Sequence, residues 1–238
     1  APQDDSPHDA IAAMIRPETA AIVISHVQYQ TGRRYDLAAL REIAGERLLF
    51  VDATQSLGAV PVEGKHADVL TASHYKWLCA GYGAGSVMLS ERLLARPSPV
   101  FGWRSAEAPY ALNERDVTPH ASAQRLEMGH PPFAPVLCLG AALSHLTETV
   151  GDPWPRINAL QTHLRAELDR ASLPPPTTPE GHSGIAVLPV PDPAGTKAAL
   201  AARGITASAR AGSVRFSTHA FNTEGDVSQA VAALRDIL

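Results

Sequence analysis

Two stretches decide the reading: Leu48-Leu49-Phe50-Val51-Asp52-Ala53-Thr54-Gln55, and Val69-Leu70-Thr71-Ala72-Ser73-His74-Tyr75-Lys76-Trp77. Each opens as an apolar run, predicted as buried strands over residues 48–53 and 69–73. The first ends on an aspartate. The second leads to a lysine, 24 residues further on, in an aromatic setting poor in charge. A glycine-rich turn, Gly81-Tyr82-Gly83-Ala84-Gly85, follows the lysine, and residues 86–90 predict a fourth strand. Upstream, residues 20–27 (Ala-Ala-Ile-Val-Ile-Ser-His-Val) read as another buried strand. Residues 37–43 read as a helix with Asp36 as its N-cap. Strands alternating with helices predict an α/β fold, with a parallel or mixed sheet covered on both faces. In such sheets binding groups gather at the carboxyl ends of strands, which is where Asp52 and Lys76 stand.

Further along, residues 96–135 are rich in proline and read as long loops. Residues 136–150 and 154–171 carry helical patterns, and Pro174-Pro175-Pro176 is a hard break. Beyond it come a strand at 184–189, a helix at 196–203, a strand at 213–217 and a last helix from Glu224. The expected division is residues 1–152, part of a larger α/β domain, and residues 153–238, a small C-terminal α/β domain.

A formal net charge of −4 with 18% charged residues gives no basic block for nucleic acid. Cys79 and Cys138 cannot by themselves build a disulfide framework or a zinc site, so no metal is expected. They suit a reducing, cytoplasmic location. The first six residues lack the basic-then-apolar pattern of a signal peptide. No apolar run approaches a membrane span.

Taken singly, Lys76 is a lysine after a strand, and Asp52 is a helix cap. Together with Ser73-His74-Tyr75-Lys76-Trp77 and the glycine turn, they resemble the class V aminotransferase family of fold-type I pyridoxal 5'-phosphate (PLP) enzymes. That family includes cysteine desulfurases, kynureninases and isopenicillin N epimerases. The resemblance implies that Lys76 forms a Schiff base with PLP and later serves as the base at the substrate Cα. It implies that Asp52 keeps the ring nitrogen protonated, and that Gln55 bonds the phenolic oxygen, with a surface glutamine as the alternative. Ser73 and Tyr75 match phosphate-binding positions. His74 is left as a polar strand-end histidine. In Ser25-His26-Val27-Gln28, His26 and Gln28 stand where relatives place a polar group near the substrate. Gln28 is the choice, strand-end packing the alternative. Arg215 matches the arginine that clamps the substrate α-carboxylate, Arg210 is a weaker neighbour, and Asn222 shapes the turn. Trp103 and the segment Arg125 to Phe133, which carries His130, resemble parts that reach the cofactor of a neighbouring subunit.

The resemblance begins inside the family's large domain. Residues 1–16 read as the helix before the first matched strand, so the expected PLP site lacks the stacking ring and the first phosphate loop. A complementary polypeptide supplying that part is therefore expected, in a homo- or hetero-oligomer. The implied activity is a PLP-dependent reaction on an α-amino acid through a Schiff base and a Cα carbanion. Mixed desulfurase and kynureninase traits lean toward a β-lyase. An aminotransferase, an epimerase, and a cofactor-free scaffolding subunit remain the alternatives. A persulfide-forming desulfurase is disfavoured, because residues 172–215, where its nucleophile would lie, contain no cysteine.

Overall fold

The parallel strands β1 (Ala21–Ser25), β2 (Leu48–Asp52) and β3 (Val69–Ser73), with β4 (Gly85–Leu89) antiparallel beside β3, make a four-stranded sheet in the order β1-β2-β3-β4. The computed structural model describes residues 7–111, 115, 118–210 and 212–238. The chain divides into two units, the first comprising residues 7–26, Tyr35–Thr54 and Glu63–Ser144. Helix α1 (Pro7–Met14) precedes the sheet. Residues 1–6, covered by the signal-peptide reading, lie outside the described residues.

Helix α2 (Leu37–Ala44) follows β1. Its cap is the expected one: the Asp36 carboxylate accepts from the Ala38 and Ala39 N–H groups. Such a cap contributes about 1 kcal/mol. Leu37, Leu40 and Ala44 recur at helical spacing and are buried, as are Leu49, Val51, Leu70 and Ala72 of the sheet. Beyond β4 and the short helix α3 (Glu91–Leu94), the proline-rich stretch folds as loops with single 3-10 turns, as its composition predicts.

Asp68, one residue before β3, fastens this sheet at its amino end. Its backbone N–H donates to the Leu49 carbonyl, and its carbonyl accepts from Ser90. Its carboxylate, 4% exposed, accepts from the Leu49 N–H, the Arg41 and Arg92 guanidiniums and the Ser90 hydroxyl. Burial alone would raise the Asp68 pKa. The bonds from Arg92, Leu49, Arg41 and Ser90 outweigh that and hold it well below the usual carboxylate range.

The second unit contains Val27–Arg34, Gln55–Val62 and His145–Leu238. Its three-stranded antiparallel sheet runs β5 (Ile185–Pro189), β7 (Ser213–Ser217), β6 (Ser208–Arg210). The sequence pattern does not predict β6: three residues without an apolar run give no strand signal. One face carries Ala186, Leu188, Val214 and Phe216 into a core with Leu160, Leu164 and Leu168 of α5 (Pro153–Arg170) and Leu200 of α6 (Pro193–Ala201). Val227, Val231 and Leu234 of α7 (Glu224–Ile237) complete it. Each such side chain contributes roughly 1.5–3 kcal/mol by leaving water. Helix α7 begins with a reciprocal cap between Thr223 and Asp226. Gly32 is required within this unit: its φ is +69°, and a Cβ there would meet Thr178 at 2.7 Å and the Ile185 carbonyl at 2.8 Å.

Helix α4 (Phe133–Thr149) is apolar yet has no buried residue along its 17 positions. Phe133 and Leu137 are largely exposed, as is Val23 on β1, which among the described residues pairs with β2 alone. Among the described residues no single helix is long and apolar enough to cross a membrane.

Asp68→Asn should destabilise the protein by about 3 kcal/mol, because two arginines lose their counter-charge. The sign of the pH effect follows from the depressed folded pKa. The Asp68 contribution is present above the unfolded carboxylate pKa and is lost as pH falls toward the folded value. Urea unfolding at neutral and acid pH should therefore converge for wild type and variant as pH drops. A constant difference across that range would contradict the role.

Candidate active site

Asp52 closes β2 and is exposed at its carboxyl end. Its Oδ1 accepts from the Thr54 N–H at 2.8 Å, which fixes the plane of the carboxylate. Its backbone carbonyl accepts from His26, and the Ala53 N–H donates to Thr71 on β3. The Thr54 hydroxyl then accepts from the Ser73 N–H at 3.0 Å. Thr54 thus ties the aspartate to the end of the neighbouring strand, from which the lysine turn departs. Sequence reading missed Thr54. A threonine two residues beyond a strand carries no signal until the register of the partner strand is known.

The lysine turn is closed by its own backbone. The His74 N–H donates to Ala84, the His74 carbonyl accepts from Ala80, and the Lys76 carbonyl accepts from Cys79. Gly81 and Gly83 take φ of +72° and +102°, and Cys79 also lies in the left-handed region at +55°. Lys76 is half-buried, with Nζ 5.6 Å from the centre of the Tyr75 ring. Tyr75 is exposed and stacks on Tyr82 at 4.6 Å. His74 points the other way: it is buried, its Nε2 pairs with the Ser86 hydroxyl at 2.9 Å, and burial lowers its pKa. Trp77 is buried beneath the turn.

Trp103 and His130, 27 residues apart in sequence, meet edge to face at 5.0 Å. Arg104 covers Trp103 and pairs with Glu127.

The second unit holds the other expected residues. Gln55 is buried and Gln28 is half-buried, its backbone N–H bonded to the Arg33 carbonyl. Arg215, in the middle of β7, donates through Nη1 to the Tyr29 carbonyl at 2.7 Å. Its Nε is buried and, among the described residues, meets no acceptor. Burial, then the charge of Arg210, pushes the Arg215 pKa below its ordinary value, while Tyr29 opposes the shift. A buried guanidinium nitrogen without an acceptor suits an incoming carboxylate. Asn222 accepts from the His219 N–H within the turn before α7.

The class-V aminotransferase family model matches residues 3–229. The chain belongs to the class V aminotransferase family. It is 31% identical over 144 residues to a kynureninase of Deinococcus radiodurans, covering 58% of this chain and 35% of that protein. It is 33% identical over 141 residues to the uncharacterized aminotransferase YcbU of Bacillus subtilis, covering 56% and 36%. Among solved structures it resembles a cysteine desulfurase of Thermococcus onnurineus, with a TM-score of 0.79 and 23% identity over 92% of this chain and 60% of that one. It also resembles a mutant of C-DES carrying glycine covalently linked to the PLP cofactor, with a TM-score of 0.81 and 20% identity over 97% and 64%. These likenesses place the fold among fold-type I PLP enzymes. The matched stretch spans about a third of each curated relative.

Pyridoxal 5'-phosphate is the cofactor of this family, and the donor set fits it. Asp52 is an exposed, oriented carboxylate and Lys76 an amine on a closed turn. Beside them, Gly85 cannot carry a Cβ without crowding the Ala72 carbonyl at 3.0 Å.

Thr54→Val should leave the fold intact, at a cost of about 1 kcal/mol for the lost hydrogen bond, and should weaken PLP retention by about tenfold. Thr54→Ser should restore retention. Equal retention in Thr54→Val and wild type, measured by equilibrium dialysis, would show that the Thr54–Ser73 bond does not shape the site.

Proposed function

We propose that this chain carries the lysine-bearing part of a PLP-dependent enzyme acting on an α-amino acid, of β-lyase type. One observation carries the reading. Asp52 ends β2, Lys76 stands just beyond β3, and Thr54 joins the two strand ends by a hydrogen bond. PLP bound there supplies an electron sink that lets the substrate Cα–H bond break. Asp52 holds a proton on the ring nitrogen through a charge-assisted bond. Lys76 would hold the cofactor and would take the substrate Cα proton at Nζ. Ser73 and Tyr75 bind phosphate, and Gln55 bonds the phenolic oxygen. Arg215 clamps the α-carboxylate with its planar fork, and Gln28 contacts the substrate. Trp103 and His130 serve a neighbouring subunit's cofactor. In this reading residues 1–152 belong to the large domain and residues 153–238 form the small one. The kynureninases among the curated relatives support the β-lyase assignment.

The same proposal includes a covering polypeptide. Helix α4 and the β1 edge present apolar side chains and unpaired strand groups that a family large domain would bury. The purified protein should therefore run, by native mass, as a complex in which these surfaces are protected from hydrogen exchange and limited proteolysis. A monodisperse monomer with α4 freely exchanging would oppose it.

The catalytic reading is tested by Asp52→Asn. The variant should keep PLP but exchange the substrate α-proton with deuterium about a thousandfold more slowly, about 4 kcal/mol in barrier. Exchange at the wild-type rate would remove Asp52 from the mechanism.

A further inference from the structure

The outer face of the β5-β7-β6 sheet carries two arginines. Register pairs Ser208 with Arg215 and Arg210 with Ser213, so all four residues share the face opposite Val214 and the core. Arg210 and Arg215 are diagonal neighbours, with Cβ atoms about 7–8 Å apart for that geometry, within reach of long side chains. Like charges so placed repel, and Arg210 contributes to lowering the Arg215 pKa.

The protein does not neutralise the pair. Among the described residues neither arginine makes an ion pair with Asp or Glu. Arg215 donates to the Tyr29 carbonyl, and Arg210 donates through Nη1 to the Ala209 carbonyl. Arg210 is exposed and the Arg215 Nε is buried without an acceptor. Arg215 and Ser208 also border a cavity of about 600 Å³ that Arg210 does not line and whose other walls include Asp226 and the core residues Leu164, Phe216 and Val227. Asp226 is not available to the arginines, because its carboxylate accepts from the Thr223 N–H and the Asn222 amide as the cap of α7.

Several arginines elsewhere do meet a carboxylate. Arg41 and Arg92 share Asp68, Arg104 has Glu127, and Arg170 has Glu167. Two adjacent arginines without carboxylate partners, on a face with serine hydroxyls, make an anion site for two negative groups. This deepens the reading of Arg215 as the α-carboxylate clamp, and rests on it. We propose that Arg210 is a specificity-determining residue that binds a second anionic group, so that the substrate is an α-amino acid with an acidic side chain, a carboxylate, sulfinate or sulfonate.

Isothermal titration of the protein as isolated, without added PLP, tests this independently of catalysis. The probes are glutarate and butyrate, which share a three-carbon chain on one carboxylate and differ by a second carboxylate at its end. Glutarate should bind about tenfold more tightly than butyrate, the size of one charge-assisted hydrogen bond. Arg210→Ala should erase that preference and leave butyrate binding unchanged. Arg210→Lys should restore part of it. Arg215→Lys should weaken both ligands. The proposal is overturned if glutarate fails to saturate, if it binds no better than butyrate, or if its preference survives Arg210→Ala. If instead Arg215→Lys leaves butyrate binding intact, the α-carboxylate assignment of Arg215 fails, whatever Arg210 does.

Discussion

The parallel register between β2 and β3 is the constraint on which the site depends. Asp52 lies opposite Thr71, so β3 runs two residues further before the lysine turn begins. Side chains alternate along a strand, and a slip of one residue would turn Asp52 to the other face and part Thr54 from Ser73. Asp52 and Lys76 stand at the same edge of the sheet only in this register.

That register is pinned far from the site. At the opposite end of the strands, Asp68 bonds β2 through Leu49, the segment after β4 through Ser90, and both α2 and α3 through Arg41 and Arg92. A buried carboxylate with two arginines is costly to desolvate, and its worth lies in geometry as much as in stability. Asp68 lies at the opposite end of the strands from Asp52 and Lys76, yet it fixes the strands whose carboxyl ends carry them. In the second unit the arrangement differs: among the described residues Arg215 and Arg210 have no carboxylate partner.

Much of this was legible in the chain. The strands at 69–73 and 213–217, the start of α7 and the Asp36 cap follow from apolar runs and cap residues, and the structure has them there. The family was legible because Asp52, Lys76 and the glycine turn keep their order and spacing. What was not legible depends on pairing between distant segments. Residues 208–210 become a strand because β7 offers an edge, not because of their own pattern. Thr54, the Tyr75–Tyr82 stack and the absence of any buried residue along α4 likewise appear only when partners are placed. His74 looked like a polar strand-end residue, and it is a buried one tied to Ser86.

The central claim, that one PLP is held by the turn beyond β3 and faces the end of β2, has a direct chemical test. The protein as isolated, with any polypeptide that accompanies it, is supplied with PLP, reduced with borohydride, digested and mapped by mass spectrometry. The account predicts that the reduced pyridoxyl group is found on Lys76. Label on Lys65, which pairs with Glu63, or on Lys197 of α6, with Lys76 unmodified, would contradict it.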